Sequence, residues 1–109
     1  MKKQYRIRKN REFSSIIEKK HSVASNSFVV YFDTKKEAYS RVGISVSKKL
    51  GDAVTRNKIK RQIRMMFSAF FDYDNGQSDI IVIARSKYLS NTFLANQQEL
   101  EKLIRKAII

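Results

Sequence analysis

Apolar residues recur at three different spacings in this chain, and each spacing predicts an element. Phe13, Ile16 and Ile17 stand three and four residues apart, as on one face of a helix. That helix starts at Asn10, a residue suited to capping, and ends near Lys20. SFVVYF (27–32) is β-branched and aromatic throughout, so it predicts a strand with apolar residues on both faces. DTKKEAYS (33–40) is polar and reads as an exposed hairpin loop. RVGISVSKK (41–49) alternates: Val42, Ile44 and Val46 point to a core, while Gly43, Ser45 and Ser47 make a small polar face. Such a face lets a ligand approach the sheet closely. A turn pivoting on Gly51 follows, with Asp52 or Thr55 as a helix cap.

From about 55 to 71 the period returns to that of a helix. Ile59, Ile63, Met66, Phe67 and Phe70 fall in one sector. Asn57, Lys60, Arg61 and Arg64 fall opposite, with Arg56 at the border. FDYDNGQSD (71–79) is a loop with an Asn-Gly turn. DIIVIAR (79–85) is the continuous apolar run of a strand buried on both faces. Ser90 or Asn91 caps a last helix, with Phe93, Leu94, Leu100, Leu103, Ile104 and Ala107 as its stripe. The order is α-β-β-α-β-α in one α/β domain over residues 1–109. General chirality alone predicts a right-handed crossover through the second helix.

Charge changes the picture. The chain of 109 residues carries a net +13, and the excess is not evenly spread. Residues 1–64 hold 18 Lys/Arg against 5 Asp/Glu, whereas residues 65–109 hold 5 of each. Residues 1–9 carry five cations and no acid, and read as a loose basic arm. TRNKIKRQIRMMF (55–67) gathers five more without a single carboxylate. Cations at a helix N-terminus oppose its dipole, so an anion there would satisfy the dipole, the free N–H groups and the side chains together. Nucleic acid fits better than a lipid surface, because no basic segment also shows the bulky apolar face of a membrane-lying helix.

Several classes are excluded. With no cysteine there is no disulfide, thiolate metal site or cysteine nucleophile, which also suits the cytoplasm. No apolar run is long enough to span a membrane. His21 is the one histidine, in a polar basic stretch. Asp72, Asp74 and Asp79 cluster, but with the chemistry of a turn. Neither a Walker-type loop nor metal-ligand spacing is present. The sequence supplies binding groups and no catalytic set. Phe13 and Tyr31 either pack a core or stack unpaired bases beside the cations.

GISVSKKLGDAVTRNKIKRQIR (43–64) resembles the signature region of the protein subunit of bacterial ribonuclease P. RKNREF, SFVVYF, DIIVIAR and the closing helix extend the resemblance over nearly the whole chain. The family implies an α/β sandwich of the ribosomal protein S5 domain 2-like type, with a left-handed β-α-β crossover. It implies a non-catalytic subunit: the catalytic RNA removes the 5′ leader of precursor tRNA with Mg²⁺. The protein binds that RNA and the leader, and broadens substrate range. Carried over by position, Arg56, Asn57, Lys58, Lys60, Arg61 and Arg64, with Lys48 and Lys49, face the catalytic RNA. Phe13, Ile17, Val29 and Tyr31 form the cleft for the leader. Two positions depart from the family pattern. Lys58 stands where the second arginine of an Arg-Asn-Arg core is usual, and Ile17 where an aromatic is common; lysine keeps charge without the bidentate geometry. No protein-bound metal or cofactor, membrane or protein partner is expected. The competing expectations are a general single-strand RNA-binding module and a self-sufficient nuclease.

Overall fold

The computed structural model describes residues 1–108. One four-stranded sheet is formed by β1 (Ser22–Ala24), β2 (Phe28–Thr34), β3 (Val42–Val46) and β4 (Ser78–Ala84), in the order β1-β2-β4-β3. Three helices accompany it: α1 (Asn10–Glu18), α2 (Ala53–Phe70) and α3 (Phe93–Ala107). The mixed α/β class and the order of the long elements agree with expectation. The strand β1 is additional. Its apolar residues are Val23 and the small Ala24, and it forms only by pairing with β2.

β4 takes a central place because both its faces are apolar. Ile80, Ile81 and Val82 are fully buried. β4 pairs antiparallel with β2 and parallel with β3, so β3-α2-β4 is a crossover unit. The expected β2-β3 hairpin is therefore not formed: β4 lies between those strands, and residues 35–41 connect β2 to a strand it does not touch.

Alternation splits the core. Phe28, Val30, Val42, Val46, Ile80 and Val82 face α2 and α3. There they meet Ile59, Ile63, Met66, Phe67, Leu100 and Ile104. On the other face, Ile81 packs with Ile16 of α1 and with Ile7, joined by Phe13, Tyr31 and Ile83. Of the N-terminal segment 1–9, expected to be loose, Ile7 belongs to this second layer, while Lys2, Lys3, Gln4, Arg8 and Lys9 are exposed. Ile7 donates its backbone N–H to Val42 O at 3.0 Å and is 3% exposed. Tyr5 stacks on Tyr73 with centroids 4.5 Å apart. β3 would otherwise present an open sheet edge, and this segment covers part of it.

Helix starts also differ from expectation. Lys9, not Asn10, occupies the extended position before α1. Thr92, not Ser90 or Asn91, caps α3, its hydroxyl accepting from Ala95 N–H at 3.1 Å. Asn91 instead uses its amide to hold Ser27 and Asn96. Phe93 and Leu94, assigned to the apolar stripe, are exposed at the start of α3.

Candidate nucleic-acid interface

α2 begins where Asp52 accepts a hydrogen bond from Thr55 N–H at 2.9 Å. That bond, with the adjoining N–H groups, holds the Asp52 carboxyl below its ordinary pKa. Gly51 makes the preceding turn at φ +144°, a region side chains rarely enter. The helix is two-sided as its period requires. Ile59, Ile63, Met66 and Phe67 are buried, and the opposite side carries Asn57, Lys60, Arg61 and Arg64. These four line a shallow groove of about 500 Å³ together with Arg6 and Met65. Arg56 is turned away from it, its Nε donating to Gly51 O at 3.2 Å. Lys58 is exposed on the flank and lines neither this groove nor the next. Lys48 and Lys49 stand on the turn after β3, also exposed and outside both grooves.

A second groove, of about 520 Å³, lies on the α1 side of the sheet. Strand register explains its floor. Tyr31, Ile81 and Gly43 form one row across β2, β4 and β3; Val29, Ile83 and Ser45 form the next row on the same face. The first row is covered by α1 and Ile7. A Cβ on Gly43 would come within 2.7 Å of Phe13 Cζ, so the ring occupies the space that glycine leaves. The second row is only half-buried. Ser45 opens into the groove, walled by Phe13 and Ile17 from α1 and by Lys60 and Arg64 from α2.

Of the expected cleft residues, Phe13 and Ile17 therefore reach the groove. Val29 and Tyr31 share its face of the sheet but do not line it, and Tyr31 packs on the Ile7–Ile16–Ile81 cluster. The residues missed from sequence are Arg6 and Arg8, which line the groove. Ile83 shares the row of Ser45 without lining it, a neighbourhood set by strand pairing.

The electrostatics are one-sided. Two carboxylates adjoin the α1 wall in sequence: Glu18 is exposed and lines neither groove, and Glu12 is taken, with Arg41 Nη2 donating to Glu12 Oε2 at 2.7 Å and to Asp79 Oδ2 at 3.0 Å. The hydrogen bond from Arg41 holds Glu12 below its ordinary pKa. Burial and the nearby Arg6 charge both lower the pKa of Arg64. Asp72, in the acidic loop, spends its carboxylate on the N–H groups of Asp74 and Asn75. His21 is exposed beside Phe32. Among the described residues, no three His, Cys, Asp or Glu side chains cluster as metal ligands. Among the described residues, no helix is long and apolar enough to cross a membrane. The arrangement sets the cations of α2 and of the N-terminal segment beside a small-residue floor on the sheet.

Comparison with known proteins identifies the family. The model of the family Ribonuclease P matches residues 1–108. The ribonuclease P protein component of Mesoplasma florum is 47% identical over 95% of this chain and 96% of its own length. That of Staphylococcus aureus strain N315 is 50% identical over 98% of this chain and 93% of its own. A solved structure of an S. aureus RNase P protein mutant with defective mRNA degradation activity superposes with a TM-score of 0.85 at 50% identity, covering 96% of this chain and 89% of that one. The RNase P protein from Thermotoga maritima superposes at 0.80 with 31% identity, over 93% and 96%.

Proposed function

Because the chain belongs to the ribonuclease P protein family, we propose that it binds the catalytic RNA through the outer face of α2 and the 5′ leader of precursor tRNA through the adjoining groove. The chain is then a subunit of a cytoplasmic ribonucleoprotein that matures tRNA 5′ ends. The RNA, with Mg²⁺, supplies the chemistry of cleavage. The protein's own residues bind and orient. Asn57, Lys60, Arg61 and Arg64 neutralise phosphates, and Arg56, Lys58, Lys48 and Lys49 add to the field around them. Ile17, Phe13 and the Ser45 floor hold an extended strand, with Val29 and Tyr31 supporting that floor from β2. A precursor keeps a leader for this groove and its product does not, so the complex favours substrate over product and tolerates varied tRNA bodies.

One observation carries this reading: two grooves meet along α2, both lined by Lys60 and Arg64, and neither is lined by a carboxylate. The test is cleavage of a precursor tRNA at low Mg²⁺ by the RNA subunit alone, the protein alone, and both together. Efficient cleavage only by the combination is expected. No effect of the protein would favour a general RNA-binding module. A second reading, a part in mRNA degradation, is favoured by the solved S. aureus RNase P protein mutant with defective mRNA degradation activity. Cleavage of an mRNA offered in place of the precursor tRNA, by the protein alone or with the RNA subunit, would support it.

A further inference from the structure

The two grooves share three cations. Arg6, Lys60 and Arg64 line both of them, so these side chains stand at the junction. Arg6 arrives there from the N-terminal segment, far in sequence from α2, and its backbone is fixed on both sides. Tyr5 stacks on Tyr73 at an interplanar angle of 15° and donates to Asp74 Oδ1 at 2.7 Å. Ile7 is bound to β3 and buried. Arg6 itself is half-buried, and its Nε is a buried donor without a partner. Among the described residues, none of the three cations makes an ion pair.

Desolvated guanidinium groups are unfavourable unless an anion compensates them. Two arginines and a lysine brought together by a folded segment, with no acid among them, describe a site for an anion with several acceptor oxygens. We propose that Arg6, Lys60 and Arg64 jointly hold one phosphodiester of bound RNA at the junction of the two grooves. This rests on the RNA-binding reading above and adds the N-terminal segment to it. The planar fork of Arg6 donates to the phosphate from the β3 side, and Arg64 and Lys60 donate from the α2 side. The phosphate then ties the N-terminal segment to α2. It belongs either to the catalytic RNA or to the leader, which present the same chemistry.

The test uses the full chain with Arg6→Ala, Arg6→Lys, Arg64→Ala, the double Arg6→Ala/Arg64→Ala, Arg61→Ala, and Lys106→Ala on the exposed side of α3 as a neutral control. Affinity for the RNA subunit is measured across a salt series. Affinity of the reconstituted complex is measured for a precursor with a leader and for the same tRNA without one. Arg6→Ala should weaken one arm about tenfold, the scale of a charge-assisted contact. It should reduce the salt slope in that arm by about 0.7 to 0.9, one phosphate. Weakening in the RNA-subunit arm assigns the phosphate to the catalytic RNA; weakening only with the leader present assigns it to the leader. Arg6→Lys should restore the slope and part of the affinity. The double variant should lose less than the sum of the singles, because both side chains serve one phosphate. Purely additive losses, or an Arg6→Ala variant with unchanged affinities and slopes while Arg61→Ala weakens binding, would overturn the shared site alone. If wild type binds neither RNA, the RNA-binding reading falls and this site with it. A far-ultraviolet circular dichroism spectrum matching wild type qualifies each variant, and Arg6→Lys carries the test if Arg6→Ala unfolds.

Discussion

Arg41 and Arg64 are both half-buried arginines on the walls of the sheet, and the structure treats them oppositely. Arg41 reaches two carboxylates, Glu12 on α1 and Asp79 on β4, and its own backbone N–H donates to Asp79 Oδ1 at 3.1 Å. Burial lowers its pKa, but the hydrogen bonds to Glu12 and Asp79 more than offset this and the net shift is upward. Arg64 has no such partner among the described residues, and its pKa shifts downward. The first arrangement ties α1, β4 and the connection before β3 together and has its counter-charges within the chain, although Arg41 Nε is a buried donor without a partner. The second leaves charge for something outside it. A cation's role is therefore read from whether its counter-charge is inside the fold, more than from its burial.

The comparison breaks most severely at Asp79. Its side chain is 1% exposed, and Asp79→Ala strands a mostly buried guanidinium with one remaining partner. Urea denaturation should show a loss of roughly 3 kcal/mol. Arg61→Ala with Arg64→Ala should do the reverse. Stability should stay within about 1 kcal/mol of wild type, since Arg61 is exposed and the packing lost with the half-buried Arg64 is offset by relief of its unpaired charge. Affinity for the RNA subunit should fall about 10- to 100-fold at moderate salt, from two charged contacts. Unchanged binding in a filter or fluorescence assay would remove α2 from the interface.

Ile17→Ala sharpens the second groove. The side chain is half-buried, so unfolding should cost about 1 to 2 kcal/mol less than wild type requires. The preference for precursor over leaderless tRNA should fall roughly three- to tenfold, with RNA-subunit affinity unchanged. An equal loss in both affinities would mean the groove does not distinguish them.

The smallest effect is a pH slope. Glu12 has a folded pKa below its unfolded one, so its pairing with Arg41 stabilises the fold above the unfolded value. That contribution is lost as pH falls from near 4.5 through the lower folded pKa, where the folded carboxylate also takes up a proton. Glu12→Gln should flatten the acid limb of a stability–pH curve without moving its neutral plateau's shape. A curve as steep as wild type would assign the acid sensitivity to other carboxylates.

The sequence by itself determined what depends on near neighbours. The two sides of α2 follow from a period of 3.6, so Asn57, Lys60, Arg61 and Arg64 fall opposite Ile59, Ile63 and Met66 in any fold that keeps the helix. The central place of β4 was implied by an apolar run without alternation. Asp52 and Gly51 marked the turn into α2 through local hydrogen bonding and backbone sterics. Tertiary structure decided which strands became neighbours, because pairing and register depend on residues far apart in the chain. It put β4 between β2 and β3, and so set Val29, Ile83 and Ser45 in one row. It left Lys58 outside both grooves. It also folded the basic N-terminus along β3 and brought Arg6 to Arg64, a meeting across 58 positions that no local pattern encodes.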